Sequence, residues 1–100
     1  MVHWTHRASE DLLAIGDYIA ADDPVAARDW LEQLRQRAGD AAAAPNAGRI
    51  VPELGRADVR EVFLRSYRIV YRVSSTGDVT VLTVFEGHMR LGPLNPDASE

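Results

Sequence analysis

Arginine supplies all eleven basic residues of this chain and lysine none. Six of them, Arg49, Arg56, Arg60, Arg65, Arg68 and Arg72, fall between positions 49 and 72, opposed there only by Glu53, Asp58 and Glu61, so that stretch carries a net charge of +3 in a chain whose total is −4. A guanidinium is planar, always charged, and grips a carboxylate or a phosphate through two parallel hydrogen bonds. In Tyr67 to Val73 (YRIVYRV), side chains of a strand would alternate between faces. Tyr67, Ile69, Tyr71 and Val73 then seek a core, and Arg68 and Arg72 share the other face with Val70. That arginine face is expected to meet partners. Taken singly, each arginine is expected to pair within the chain, with Glu61 and Glu86 as the acids across the strands, at roughly 0.2–1 kcal/mol apiece. Glu53, flanked by Arg49 and Arg56, reads as a surface ion-pair partner. His88 and Arg90 follow the last apolar run and are candidates for contact with a target, because exposed loop residues touch partners more often than they pack. His3 and His6 stand three apart with no third ligand in view, so no metal site is expected. The sequence holds no P-loop, no glycine-rich dinucleotide turn and no nucleophile elbow, and no cofactor is expected.

The elements that must position these residues are legible from periodicity. Val59 to Leu64 and Tyr67 to Val73 are β-branched and aromatic runs separated only by Arg65 and Ser66, which predicts an antiparallel hairpin. Ser75 to Asp78 forms a turn into a last strand, Val79 to Glu86, with Val79, Val81, Thr83 and Phe85 on one face and Thr80, Leu82, Val84 and Glu86 on the other. Arg49 to Leu54 is expected to be a short strand that Pro52 confines to an edge or a bulge. Val2 to Thr5 makes a first strand, and Thr5 caps a helix from His6 to about Ala21. In that helix Ala8, Leu12, Ile15 and Ile19 form the inner stripe, and Glu10, Asp11 and Asp17 lie outside. Gly16 costs the helix about 1 kcal/mol relative to alanine, which suits the close approach of a second helix. Asp23 caps that second helix with Pro24 in its first turn. It runs to about Ala43 with Ala27, Trp30, Leu31, Leu34, Ala38 and Ala41 inward, and stops before Pro45. Trp4, Tyr18, Trp30 and Phe85 are expected in the core or in a groove.

The order β-α-α-β-β-β-β predicts an α+β fold of two layers, an αα-hairpin laid on a mainly antiparallel sheet. Residues 1–92 are expected to form a single domain, and residues 93–100, with Pro93 and Pro96, an irregular tail free to fray. One hundred residues, 46% of them apolar, can bury a core without metal or disulfide, and cysteine is absent. No apolar run is long enough to span a bilayer and no signal peptide is visible, so a cytoplasmic protein is expected. A sequence pI near 5.3 argues against a domain that holds nucleic acid by bulk charge. It leaves room for an acidic peptide on the local basic strip.

The element order, together with WTHRASEDLLAIGDYIA, GRIVPELG, VREVFLRSYRIVYRV and VTVLTVFEGHMR, resembles the RelE/ParE superfamily of toxins from bacterial type II toxin–antitoxin pairs, most closely its ParE branch, across residues 2–92. The resemblance implies a toxin neutralised by a ParD-like antitoxin whose disordered tail folds on binding. Such a tail would lay an amphipathic helix on the helical hairpin, near Trp30 and Leu34, and hold its acidic groups on Arg60, Arg68 and Arg72. ParE-like members inhibit DNA gyrase and are not enzymes, which makes gyrase the implied target. RelE-like members cut messenger RNA on the ribosome, and in that alternative Glu53, Arg68 and His88 would be the catalytic set; a further alternative is a toxin-fold protein that has lost its target activity and serves as an antitoxin-binding module. This chain departs from the RelE pattern in having no tyrosine after Tyr71 and no lysine.

Overall fold

The computed structural model describes residues 1–99. Its elements are β1 (Val2–Trp4), α1 (His6–Ala20), α2 (Pro24–Ala43), a 3-10 turn (Pro45–Ala47), β2 (Arg49–Ile50), β3 (Val59–Leu64), β4 (Tyr67–Val73) and β5 (Val79–Glu86). They form one five-stranded sheet in the order β1-β5-β4-β3-β2. β1 lies parallel to β5, and the remaining pairs are antiparallel. The fold is the α+β arrangement that the sequence predicts.

The helix boundaries follow from side-chain caps. Thr5 Oγ1 accepts the Ala8 amide at 3.0 Å, and the same residue is stitched to β5 through Thr5 N to Val81 O and Thr5 Oγ1 to Leu82 O. Asp23 accepts the amides of Val25 and Ala26 at 3.1 Å ahead of Pro24, so the two helices need only a short link. Gly16 lies against Leu31, whose Cδ1 would stand 2.9 Å from a Cβ at that position. The missing side chain lets the helices close. Helix one, Leu34 and Ala38 pack on Ile69, Tyr71, Val79, Val81 and Val84 to form the main core.

Three expectations are corrected. The strand read from Arg49 to Leu54 pairs only at Arg49 and Ile50; beyond it the amides of Leu54 and Gly55 turn back onto Val51 O, because Pro52 cannot continue a ladder. β5 does not alternate strictly. A bulge opposite Val70 and Tyr71 leaves Leu82 without a partner, so Val84 joins Val79 and Val81 in the main core, while Leu82 and Phe85 join a second one. Asp11 does not simply face solvent, since its carboxylate accepts the Val84 amide beside that bulge and the Thr83 hydroxyl. Of the aromatic residues expected in the core or in a groove, Tyr18 is 80% exposed and lines a groove beside α1, and Trp4, Trp30 and Phe85 are half-buried.

The second core lies on the sheet face away from the helices. Val51, Val59, Val70 and Leu82 are buried there beneath Leu54, Leu91 and Leu94. Residues 91–98 are irregular, yet they do not hang free. Arg72 Nη1 donates to Pro96 O and Ala98 O at 2.7 Å, Arg56 pairs with Asp97 at 3.0 Å, and Arg7 donates to Pro93 O. Apolar burial and captured carbonyls hold this segment in place of a regular ladder.

Two glycines separate crowding from propensity. A Cβ on Gly48 would lie 2.2 Å from Tyr71 Oη and 2.9 Å from Glu61 O, while Gly39 has nothing within 4 Å. Gly48→Ala is therefore expected to destabilise the fold by about 1–3 kcal/mol through overpacking and loss of the Tyr71 hydroxyl bond to Pro45 O. Gly39→Ala, in the interior of α2, is expected to stabilise it by about 0.5–1 kcal/mol. Urea unfolding of the two variants checks the opposite signs.

Candidate partner-binding site

β4 delivers Arg68 and Arg72 to the helix-free face, as alternation requires, but neither is free there. Arg68 is 7% exposed. Its Nε donates to Glu61 Oε1 at 2.6 Å, and its two terminal nitrogens donate to both oxygens of Glu53 at 2.9 Å. Glu61 has a side chain with no exposed surface and takes a second cation, Arg49 Nε, at 2.6 Å. Arg49 lies 5.3 Å from the Phe63 ring centroid and Arg68 lies 4.9 Å from that of Phe85. The result is an alternating chain Arg49–Glu61–Arg68–Glu53 with aromatic rings beside both cations. Such a network survives burial because each charge is paired and hydrogen-bonded.

The other sequence-predicted residues are placed as follows. Arg60 donates to the carbonyls of Gly48 at 2.9 Å, Ala57 at 3.1 Å and Asn46 at 3.4 Å, and Arg72 holds the C-terminal carbonyls. Arg60, Arg68 and Arg72 thus each bond within the chain, as expected of them singly, and Arg68 takes the expected Glu61; what is corrected is the free guanidinium strip expected of them together. Leu34 is 0% exposed and supports the helical hairpin from inside, so it offers a partner no surface. Trp30 is half-buried, edge-on to Tyr67 at 5.6 Å. His88 and Arg90 are exposed after β5. Glu53 and Arg68 meet, but His88 Nε2 lies beside Glu86 at 3.9 Å and not beside them. No group of three or more potential metal ligands occurs among the described residues. His6 Nε2 instead contacts Glu10 at 2.6 Å.

A groove of about 670 Å³ runs between α1 and the end of β5, walled by Ile15, Tyr18, Tyr67, Met89 and Arg90. Tyr18 and Phe85, which the sequence places in the core or in a groove, both line it. Tyr18 sits three residues after Ile15 at helical spacing, which was the available signal, but the spacing alone does not separate a core tyrosine from one at a groove rim.

Electrostatics ties the ion chain to acid stability. The hydrogen bonds from Arg68 hold the Glu53 carboxyl below the usual carboxylate range, with burial opposing them, and the bond to Glu53 in turn raises the Arg68 guanidinium. A carboxyl depressed in the fold contributes stability above its unfolded value, and that contribution disappears as pH falls through its folded value. Unfolding midpoints should therefore fall as the pH drops below about 4.5, the ordinary value of a glutamate. Glu53→Gln should lower the midpoint at neutral pH and flatten the acid branch. Urea titrations between neutral pH and pH 3 read both effects.

Comparison with known proteins places this geometry. Residues 2–91 match the family described as "ParE toxin of type II toxin-antitoxin system, parDE". The chain is 37% identical over 92 residues to the protein named "Putative toxin Y4kP" of Sinorhizobium fredii (strain NBRC 101917 / NGR234), covering 89% of this chain and 90% of that one. Its fold is similar to that of a chain from the chromosomal ParDE TA system of P. aeruginosa, with a TM-score of 0.69 at 23% identity over 85% of this chain and 92% of the other. A match over nearly the whole length, in sequence and in fold, leads to one conclusion: the chain belongs to the ParE toxin family of type II toxin–antitoxin systems.

Proposed function

We propose that this toxin inhibits DNA gyrase by binding it, without catalysis, and that a ParD-like antitoxin with a tail that folds on binding keeps it inactive in the cytoplasm. The observation that carries the non-enzymatic part is the closed ion chain. RNA cleavage needs a base or acid near the ribose hydroxyl and a cation beside the scissile phosphate. The two groups of this chain that meet at comparable positions, Glu53 and Arg68, are spent on each other, and Arg68 Nε goes to buried Glu61. A site in which cation and carboxylate neutralise one another offers a phosphate little attraction. Membership in the ParE family supports the same reading. His88 and Arg90 stand exposed in the loop after β5 and are the proposed target contacts.

Among the described residues no helix is long and apolar enough to cross a membrane, and the negative net charge gives no footprint for direct nucleic-acid binding. Both support a protein partner as target. The assay is plasmid supercoiling by purified DNA gyrase with and without the co-encoded antitoxin. Micromolar toxin should inhibit supercoiling, and an equimolar amount of antitoxin should restore it. A folded chain that leaves gyrase untouched, or that cleaves message in a purified translation system, overturns the proposal. Arg90→Glu is expected to raise the inhibitory concentration about tenfold, equivalent to ~1.4 kcal/mol of binding, with an unchanged unfolding midpoint. Inhibition at the original concentration would remove Arg90 from the target surface.

A further inference from the structure

Arg65 occupies a conformation that disfavours it. Its φ of 51° lies in the left-handed region, where an L side chain crowds its own backbone. The two-residue hairpin turn between β3 and β4 ordinarily takes glycine, asparagine or aspartate for that reason. Here arginine stands at the tip, and its surroundings do not explain it. Of the six arginines between positions 49 and 72, five are hydrogen-bonded inside the chain, to Glu61, to Asp58 and Asp97, to three carbonyls, to Glu53 and Glu61, and to the C-terminal carbonyls. Arg65 is the sixth. Among the described residues it donates no hydrogen bond and has no carboxylate within ion-pair distance. Its only specific contact is the half-buried Trp30 ring, 5.4 Å from its guanidinium carbon, and a cation–ring contact at an exposed site contributes about 0.5–1 kcal/mol.

The surface beside it has the composition of an interaction hot spot. Trp30 meets Tyr67 edge-on, Tyr67 lines the groove along α1, and the exposed Tyr18 and Met89 stand on that groove's walls. Tryptophan, tyrosine and arginine dominate the residues whose loss costs most at protein interfaces. Backbone strain retained without an internal partner points the same way, since strained positions cluster at functional sites. An unpaired guanidinium next to aromatic walls complements a segment that carries a carboxylate and an apolar side chain.

We propose that Arg65, stacked beside Trp30 at the β3–β4 hairpin tip, is a specificity-determining contact that receives a carboxylate of the antitoxin's tail while an apolar side chain of the same segment enters the groove at Tyr18, Tyr67 and Met89. The proposal rests on the antitoxin reading above. It moves the anion-binding role from Arg60, Arg68 and Arg72, which the fold already uses, to the one arginine of the strip left without an acceptor.

Calorimetric titration of the co-encoded antitoxin into the wild-type chain and into Arg65→Gly, Arg65→Lys, Tyr18→Ala and Ser75→Ala tests it, with urea unfolding of each free toxin in parallel. Arg65→Gly should weaken binding at least tenfold while the unfolding midpoint stays the same or rises, because glycine adopts positive φ without strain. Arg65→Lys should also bind more weakly, because a point charge does not reproduce the two-pronged grip. Tyr18→Ala should lose several-fold without loss of stability. Ser75→Ala, exposed in the turn at the other end of β4 from Arg65, should bind normally. Wild-type affinity in Arg65→Gly overturns the site, as does an affinity loss that only tracks a loss of stability. Normal antitoxin binding combined with lost gyrase inhibition assigns the surface to the target and overturns the occupant named here. A wild-type chain that binds no antitoxin overturns instead the reading on which the site rests.

Discussion

A carboxylate with no exposed surface must be paired, and Glu61 imposes that requirement on one whole face of the sheet. Its position on β3 is fixed by alternation with Val62, which the main core needs. Its charge must then be met from the neighbouring strands. Arg68 answers from β4 and Arg49 from β2, and the part of Arg68 that Glu61 leaves unused draws in Glu53 from the loop after β2. Replacing a buried ion pair by apolar residues is often harmless to stability, whereas removing one member strands the other. The cluster is therefore better understood as fixing how β2, its following loop and β4 sit relative to β3 than as a large net source of stability.

The same economy of groups governs the opposite side. The bulge in β5 breaks the ladder at Leu82 and frees the Val84 amide, which a buried sheet cannot leave unmet. Asp11 on α1 accepts it. Thr5, at the start of the same helix, caps the helix and ties it to Val81 and Leu82. Helix one is thus anchored at its first residues and again at Asp11 on consecutive residues of one strand, and this fixes the wall of the groove that carries Tyr18.

Most of the fold was legible because local signals agreed with one another. Thr5 and Asp23 as caps, Pro24 in the first turn, and the two runs around Arg65 and Ser66 each have one physical outcome, and the elements formed where those signals lie. The misplacements share a cause. Asp11 and the free face of Arg68 and Arg72 were assigned from positions on an isolated element, while their environments are made by other elements: the bulge of β5, the loop that carries Glu53, and the C-terminal carbonyls. The tail misled for a similar reason, since prolines exclude a ladder but do not prevent Leu91 and Leu94 from covering apolar surface. The candidate site was the least legible part. Alternation shows which arginines share a face, but which of them keeps a free guanidinium depends on the acceptors that the rest of the fold supplies.

The pairing of β1 with β5 has a consequence for the chain as it is made. Val2 lies opposite Val79, 77 positions later, and the amide that opens helix one bonds to Val81. Closing so long a loop is entropically unfavourable until both strands exist, and contacts this distant in sequence form slowly. The αα-hairpin can assemble from local contacts early in synthesis, and Val62, Ile69 and Tyr71 offer its sheet-facing stripe part of a surface, but the part made by Val79, Val81 and Val84 comes only with β5. A nascent chain stopped before Val79 would lack the strand that joins β1 to β4 and would leave part of that stripe in water, so the complete fold comes into being only once β5 has been made.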